Sequence, residues 1–521
     1  MLLTDLINHT KEQYGEYPFL YDGEKEYTNL DMERVAKKIS VLLRNHGVSD
    51  GERVLVSMEN SSAVFFAYQG ILRARNIVIP VMHILSPNEM AYILNDSKAK
   101  AIFTSSACLP NMIQAVKGLS HHVTIFVMDE VKDKELLEGY DVVDVYQAIE
   151  TIEGSQEVVS DTDENNVAVI LYTSGTTGRP KGVMLTHKNL IVGPLDSYHT
   201  KKTEGRIAER NTTVCVLPLA HIYGFGIMVT SFILGDSIVV FSKYDLEKVC
   251  QAIERFSVKT FAVVPAMLHD MTFSSTTNKY NLSSLESVNC GSASLPLAVI
   301  ESFEKKFNAE IWEAYGLSES STGGVSGHRK GVPVRRGSAG IPYPYVEVKI
   351  VDEEGNELPR GEVGEIIVKG ENITPGYYGL YEETAKTIKN GWLYTGDIAT
   401  MDNEDYIYIV DRKKDLIIRG GFNIYPRDLE EVLSKHEAVS EVAVIGLPDE
   451  RMGEEVIACV VKKAGADVTE QGLIQYTQEN LAKYKSPRRI LFVEALPRNG
   501  VGKILKRKLR DELQGTDLTV S

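Results

Sequence analysis

The most constraining feature of this sequence is a ten-residue stretch without a large apolar side chain, residues 173–182, between two apolar segments. The flanking segments VAVILY and VMLT have the pattern of buried strands, so the stretch TSGTTGRPKG is predicted to form the loop between them. Its glycines let backbone N–H groups approach an anion closely, and Arg179 and Lys181 add positive charge. The loop therefore predicts a site that grips a triphosphate.

This loop differs from the phosphate loop of P-loop kinases and ATPases. Their pattern, GxxxxGK[ST], would require a glycine at position 180 and a hydroxyl side chain at position 182. The chain has Pro180 and Gly182 at these positions. A P-loop enzyme would also release ADP, so the released nucleotide separates that hypothesis from the one developed below.

Strand and helix patterns alternate along roughly the first 330 residues, for example a strand at 53–58, a helix at 62–73 and a strand at 77–81. The alternation predicts an α/β fold with mostly parallel sheets covered by helices. From 340 to 410, short strands with frequent Gly, Pro and Asn predict a mostly antiparallel, β-barrel-like part. The remaining residues mix helices with strands and predict a small α+β domain. We predict two domains, residues 1–412 and 413–521.

Composition and charge exclude several classes of protein. The net charge of −16 disfavours nucleic acid as a partner. The N-terminus carries early acidic residues and no sustained apolar run, unlike a signal peptide. Residues 223–241 hold only one charge, Asp236, but Gly235 and the β-branched tail SIVVF predict a helix, a turn and a strand instead of a membrane span.

The five cysteines are scattered and form no CxxC pair, which predicts buried thiols in a reducing cytoplasm. We therefore expect a cytoplasmic protein without a transmembrane segment. Peripheral membrane contact and the oligomeric state stay open.

The string LYTSGTTGRPKGVMLTH resembles the signature loop of the adenylate-forming superfamily, which comprises acyl-CoA synthetases, peptide-synthetase adenylation domains and firefly luciferase. The resemblance extends over almost the whole chain through GSASLP, EAYGLSE, LYTGD and PRNGVGK, in the family's order. Among these enzymes the chain is similar to fatty-acid and 4-coumarate CoA ligases. The resemblance implies a large adenylation domain and a small mobile C-terminal domain, with Lys414 as the hinge.

The resemblance also implies how ATP, Mg²⁺ and coenzyme A are held. Tyr315 would stack on adenine, Asp397 and Arg412 would bind the ribose, and Gly420-Gly421 would form a strand that approaches the pantetheine arm. A hairpin bulge is the structural alternative for Gly420. The predicted set for nucleotide and coenzyme is Thr173, Ser174, Gly175, Thr176, Thr177, Gly178, Gly291, Ser292, Ala293, Glu313, Ala314, Tyr315, Gly316, Ser318, Asp397, Arg412, Gly420 and Gly421, with Thr176 and Glu319 on the metal ion.

Three residues are implied to be catalytic: Lys503, Lys181 and His221. Lys503 would bridge the substrate carboxylate and the α-phosphate, a task that suits a compact charge on a long stem. His221 would act as an aromatic gate beside the carboxylate, although from the residues alone a buried structural histidine is favoured.

The acid pocket implied by the resemblance is small or apolar throughout: Ile222, Tyr223, Gly224, Val264, Pro265, Gly323 and Gly324. The stretch LPLAHIYGFG lacks the aspartate with which amino-acid-activating relatives pair the α-amine. HIY is similar to plant hydroxycinnamate ligases, whereas GGFNIYPRDLEEVL is similar to bacterial fatty-acid ligases. A medium- or long-chain fatty acid and an aryl acid therefore both fit.

Together these features predict an ATP-dependent acid:CoA ligase that forms acyl-CoA through an acyl-adenylate and releases AMP and pyrophosphate. One alternative is an acyl-AMP ligase that loads the phosphopantetheine arm of an acyl carrier protein, which would not accumulate acyl-CoA. Another is a non-catalytic nucleotide-binding homologue, which should have lost Lys503 or Glu319, and both are present.

Overall fold

Helices and strands alternate in the computed structural model, as the sequence predicts. The structure describes residues 1–131, 138–152, 162–173, 179–291, 295, 297–329, 331–449, 451–500 and 502–514. The strands are β1 (Pro18–Asp22), β2 (Lys25–Thr28), β3 (Arg53–Ser57), β4 (Ile77–Pro80), β5 (Ala101–Thr104), β6 (Thr124–Val127), β7 (Val142–Asp144), β8 (Val167–Thr173), β9 (Lys181–Thr186), β10 (Thr212–Cys215), β11 (Ser237–Val240), β12 (Thr260–Val263), β13 (Ser287–Cys290), β14 (Glu310–Tyr315), β15 (Ser326–Gly327), β16 (Ile341–Pro342), β17 (Val346–Val351), β18 (Gly364–Gly370), β19 (Gly376–Tyr377), β20 (Ile388–Lys389), β21 (Trp392–Met401), β22 (Ile407–Arg412), β23 (Ile417–Arg419), β24 (Phe422–Ile424), β25 (Val439–Asp449), β26 (Gly453–Lys462) and β27 (Arg489–Phe492). The helices are α1 (Leu6–Tyr14), α2 (Asn29–Asn45), α3 (Ser62–Arg73), α4 (Pro87–Ser97), α5 (Leu109–Val116), α6 (Val145–Glu150), α7 (His187–Thr203), α8 (Ile222–Leu234), α9 (Leu246–Phe256), α10 (Pro265–Phe273), α11 (Leu297–Phe307), α12 (Tyr381–Thr387), α13 (Pro426–Ser434), α14 (Glu470–Asn480) and α15 (Lys506–Leu513).

The largest sheet has eight strands in the order β19-β9-β8-β4-β3-β5-β6-β7. Strands β3 to β8 pair in parallel, and β9 and β19 add antiparallel strands at one edge. The predicted strand, helix and strand of residues 53–81 are present as β3, α3 and β4. Strands such as β5 are buried along their whole length because helices cover the parallel sheet.

Two further sheets place chain segments beside the site. One has the order β10-β11-β1-β2, and the other has the order β12-β13-β14-β15-β16. Strands β12, β13 and β14 are parallel, so their carboxyl ends meet at one edge. Ligands of open α/β sheets bind at such an edge.

The antiparallel part predicted at 340–410 is a sheet in the order β17-β18-β21-β20, with β22 paired to β21. The last sheet has the order β24-β23-β26-β25, with β27 parallel to β26. Each of these two sheets has its own core: residues such as Ile350 and Val368 in the first, and Val444 and Val456 in the second. The predicted boundary at residue 412 lies between these cores.

The predictions of a helix, a turn and a strand in the apolar segment 223–241 and of buried cysteine thiols are confirmed. The segment consists of α8, a turn at Gly235 with φ of +72°, and β11. Among the described residues, no helix combines the length and apolar character that a bilayer crossing requires. All five cysteines are free and buried.

Candidate active site

A large cavity of about 1990 Å³ lies at the carboxyl ends of β12 to β14 and extends under the small C-terminal part. It collects predicted site residues from segments that are far apart in the chain. Those that line it are Thr173, Lys181, His221, Ile222, Tyr223, Gly291, Ala314, Tyr315, Gly316, Ser318, Glu319, Gly323, Gly324, Asp397, Arg412, Lys414 and Lys503. The predicted residues Ser174, Gly175, Thr176, Thr177, Gly178, Ser292 and Ala293 lie outside the described residues.

The two residues predicted to bind ribose are neighbours on paired strands. Asp397 of β21 is directly opposite Arg412 of β22, and the Arg412 Nε is 3.4 Å from Asp397 Oδ1. The Tyr315 hydroxyl donates a hydrogen bond to Asp397 Oδ2 at 2.7 Å. A carboxylate has about four acceptor positions, so Asp397 can still accept hydrogen bonds from a bound sugar.

Lys503 reaches the cavity from the loop that precedes α15. A Cβ atom on Gly500 would lie 2.4 Å from Met82 Cε and 2.7 Å from Ile84 Cδ1, so this loop is packed tightly on the large domain. Burial lowers the pKa of Lys503 to about 8, and the positive charges of Arg412 and Lys414 act in the same direction. The loop therefore places Lys503 in the cavity near Asp397 and Arg412, the two residues predicted to bind ribose.

The contacts of His221 bear on both of its predicted roles, a buried structural histidine and an aromatic gate beside the carboxylate. It precedes α8, and its Nδ1 accepts a hydrogen bond from the Tyr223 N–H at 3.2 Å. Burial lowers the pKa of His221 to about 4, and the charge of Lys503 adds to the effect. The imidazole is thus neutral near pH 7, and a neutral ring that accepts at Nδ1 carries its proton on Nε2. His221 lines the cavity, so its ring is a candidate hydrogen-bond donor to a bound ligand.

Lys181 and Glu319 have partners that sequence reasoning missed. The Lys181 ammonium is ion-paired with Glu383 of α12, and it lies 5.3 Å from the centre of the Tyr377 ring. The Tyr377 hydroxyl donates to Glu319 Oε1 at 2.9 Å. Tyr377 and Glu383 both lie in the stretch GYYGLYEET. No local pattern there indicates these contacts, because Glu383 is 202 positions from Lys181.

The cavity suits a magnesium ion that arrives with phosphates. Among the described residues, no group of three or more His, Cys, Asp or Glu side chains could hold a metal alone. Mg²⁺ in nucleotide sites is usually bound by one or two carboxylates together with substrate phosphates and water. The Glu319 carboxylate lines the cavity and fits this role.

Four predicted residues lie near the cavity but do not line it. Burial raises the pKa of Glu313 to about 7, although the charge of nearby Arg427 acts in the opposite direction. A Cβ atom on Gly224 would lie 2.2 Å from the Pro218 carbonyl oxygen, so this glycine permits the close approach of α8 to the preceding turn. The other two are Val264, which packs with buried Leu217 and Ala262, and Pro265, which begins α10.

The prediction that Gly420 and Gly421 form a strand is wrong. They connect β23 to β24 in a two-residue hairpin, with φ of +56° and +83°. Two successive positive φ angles are typical of a type I′ turn, for which glycine is favoured. Neither residue lines the cavity in this arrangement.

From His221 the cavity continues as a channel along one face of α8. The helix residues that line it recur at helical spacing: Tyr223, Gly226, Ile227, Thr230, Ser231 and Leu234. The facing wall comes from residues of β12, β13 and β14, including Thr260, Ala262, Ser287, Asn289 and Trp312. At the far end lie paired charges, including Lys201 at 3.9 Å from Asp236 and Lys259 at 3.0 Å from Glu286.

Comparisons with known proteins agree with this geometry. A model of AMP-binding enzymes matches residues 7–378, and a model of the AMP-binding enzyme C-terminal domain matches residues 428–503. The long-chain-fatty-acid–CoA ligase of Bacillus subtilis (strain 168) is 35% identical over 516 residues, covering 94% of this chain and 90% of the relative. The 4-coumarate:CoA ligase 1 of Petunia hybrida is 31% identical over 517 residues, covering 96% and 92%.

A solved structure shows the same architecture. The anthranilate CoA ligase AuaEII in complex with anthranoyl-AMP superposes with a TM-score of 0.87 at 27% identity, covering 98% of this chain and 97% of that one. The chain therefore belongs to the AMP-binding enzyme family, as an AMP-forming ligase of its acyl-CoA synthetase branch.

Proposed function

We propose that this protein joins a medium- or long-chain fatty acid to coenzyme A through an acyl-adenylate. The observation that carries the choice of acid is the channel along α8. From Ile222 to Leu234 the helix rises about 18 Å. A zigzag of carbon–carbon bonds of about 1.5 Å advances about 1.25 Å per carbon, so about 14 carbons fit along the helix. An alkyl chain uses this length, whereas a single aromatic ring leaves about half of it empty.

In the first half-reaction a carboxylate oxygen of the acid attacks the α-phosphorus of ATP, and the bond to pyrophosphate breaks. Lys503 offsets the negative charge that develops on the α-phosphorus centre, Lys181 offsets the charge of the departing pyrophosphate, and Asp397 and Arg412 hold the ribose. A bound Mg²⁺ would add charge neutralisation at the phosphates. The His221 Nε2–H donates to an acid oxygen and keeps the carboxylate at the mouth of the channel.

In the second half-reaction the thiol sulfur attacks the acyl carbonyl, AMP leaves with the electron pair of the mixed anhydride, and the thiol proton is released. Lys503 occupies the site in the present arrangement and has no role in this step. We propose that the small domain turns about Lys414, which withdraws Lys503 and brings the Gly420-Gly421 hairpin towards the acyl-adenylate. A tip without side chains leaves room for a pantetheine arm.

The proposal is tested by measuring pyrophosphate release with acids from two to eighteen carbons and with aryl acids, with and without coenzyme A. We expect the highest kcat/KM for unbranched acids of about ten to sixteen carbons, and acyl-CoA as the product. Absence of AMP with every acid would refute adenylate formation. If the acyl group is transferred only to a carrier protein, the acceptor is that protein and not coenzyme A.

A variant that blocks the channel sharpens this test. Thr230 lies about 12 Å along α8 from Ile222, level with about the tenth carbon of the chain. We expect Thr230→Trp to lower kcat/KM for hexadecanoate at least about tenfold through steric exclusion, and to spare octanoate. Thr230→Val has nearly the original volume and serves as the control. An equal loss for both acids would contradict the proposed path of the chain.

The facing wall favours a second candidate, a hydroxylated aryl acid. The Tyr223 hydroxyl donates to the Asn289 carbonyl oxygen at 2.9 Å, and Asn289 lines the channel beside Thr260 and Ser287. These polar groups could bind a ring hydroxyl. A higher kcat/KM for 4-coumarate than for every alkyl acid in the series would select this candidate.

A further inference from the structure

Glu383 occupies a place beside Lys181 that the proposed reaction gives to phosphate. The side chains of Lys181 and Glu383 retain only 12% and 31% of their exposure, and their charged groups form an ion pair. The hydrogen bond from Lys181 holds the pKa of Glu383 below its usual value, so the carboxylate is ionised near neutral pH. A negative group is therefore fixed at the mouth of a site for negative phosphates.

The position of Glu383 is set by strand pairing and by close packing of α12 on β19. Strand β19 pairs with β9, with Tyr377 opposite Val183, and α12 begins four residues later. The Thr384 hydroxyl accepts a hydrogen bond from the Tyr377 N–H at 3.0 Å. A Cβ atom on Gly376 would lie 2.4 Å from Thr384 Cγ2, so α12 packs closely on this strand. Lys181 begins β9, and both partners of the ion pair are thus anchored to one strand pair.

The same strand pair also reaches the carboxylate expected to meet the metal ion, because the Tyr377 hydroxyl donates to Glu319. The segment 376–387 therefore contacts both Lys181, which is expected to meet the triphosphate, and Glu319, which is expected to meet the metal ion. Its interaction with Lys181 is the charged one, and it competes with a phosphate for the same ammonium. A lysine ammonium has three donors, but like charges beside it repel each other.

We propose that Glu383 is a counter-ion that ATP must displace from Lys181. It keeps the lysine in place before nucleotide binds, and it weakens binding of the β- and γ-phosphates and returns to Lys181 as pyrophosphate leaves. Glu383 is thus a positioning residue for nucleotide entry and pyrophosphate departure. The inference rests on the proposed function only in taking the ligand of this site to be ATP.

The test is calorimetric titration of the full-length Glu383→Gln variant with the non-hydrolysable analogue α,β-methylene-ATP and Mg²⁺, in the absence of acid and coenzyme A. Glutamine keeps the size of the side chain and removes its charge. We expect a Kd lower by roughly five- to tenfold for the analogue and for pyrophosphate, and an unchanged Kd for AMP, because AMP lacks the phosphates near Lys181. In steady state we expect a lower KM for ATP with a smaller change in kcat.

Glu382→Gln is the matched control, since Glu382 is the preceding residue of α12, is exposed and does not line the cavity. It removes the same charge from the same helix and should leave each Kd unchanged. The gain from Glu383→Gln should also vanish in a Lys181→Met background.

An unchanged or higher Kd for Glu383→Gln overturns the inference. So does an equal gain for AMP, for Glu382→Gln or without Lys181, because each would indicate a general charge effect. These results are separate from the proposed function. If the unaltered protein fails to bind the ATP analogue, the proposed function fails; if it binds the analogue and Glu383→Gln binds no tighter, only this inference fails.

Discussion

Two lysines reach the cavity from different domains, and their electrostatic surroundings differ. Lys181 of the large domain is ion-paired with Glu383 and lies near the Tyr377 ring. The ammonium of Lys503 in the small domain has no hydrogen-bond or ion-pair partner in the part of the chain that the structure describes, and burial lowers its pKa to about 8. Lys181 therefore has a negatively charged partner before substrate binds, whereas Lys503 has none among the described residues.

The difference indicates two kinds of work. A paired lysine must exchange one anion for another, so its net contribution to phosphate affinity is smaller than that of a lysine without a partner. An unpaired, partly desolvated lysine gains its first anionic partner from the substrate. Its attraction to that partner grows as negative charge develops on the α-phosphorus centre, and an interaction that strengthens in the transition state raises the rate. We therefore expect Lys181 to affect nucleotide binding and Lys503 to affect the chemical step.

The largest expected effect is that of Lys503→Ala on adenylation. Removal of one charged group from a transition state typically costs about 10²- to 10³-fold in kcat. We expect a loss of that size in ATP-pyrophosphate exchange and little loss in thioester formation from synthetic acyl-AMP. Lys508→Ala, on the exposed face of α15, is the control. Equal loss in both half-reactions would contradict the role of Lys503 and the comparison with Lys181.

The pH dependence of adenylation should follow from the lowered pKa of Lys503. The group is charged below its pKa of about 8 and neutral above it, so kcat/KM for ATP-pyrophosphate exchange should fall about tenfold per pH unit above that value. His221, with a pKa of about 4, should stay neutral over the same range. Lys503→Arg stays charged and should move the decline to higher pH in whatever activity it retains; a profile that keeps the original decline would assign the titration to another group.

The smallest expected effect concerns the hydroxyl that orients Glu319. Tyr377→Phe removes the hydrogen bond to Glu319 and keeps the ring beside Lys181. Loss of such a supporting contact weakens metal binding, and we expect the Mg²⁺ concentration for half-maximal adenylation to rise several-fold. Tyr378→Phe is the control. An unchanged Mg²⁺ requirement would mean either that Glu319 does not bind the metal ion or that Tyr377 does not orient Glu319.

Local patterns predicted the elements well because their causes are local. The helix at 62–73 and the strands at 53–58 and 77–81 follow from apolar periodicity, and the interrupted segment 223–241 follows from Gly235. The Gly420-Gly421 pair shows the limit of a motif. Its residues fit both a strand near a ligand and a hairpin turn, and only the pairing of β23 with β24 distinguishes the two.

The sequence by itself determined the chemistry that this protein can carry out: a glycine-rich loop with Lys181, the acidic residues Glu319 and Asp397, and Lys503 in a fixed order. Tertiary structure alone decided which charges meet and how far the channel along α8 extends. The ion pair of Lys181 with Glu383 and the entry of Lys503 beside Arg412 join residues far apart in the chain. Such contacts depend on how strands and domains pack in space, and no local pattern of residue types encodes which distant residues meet.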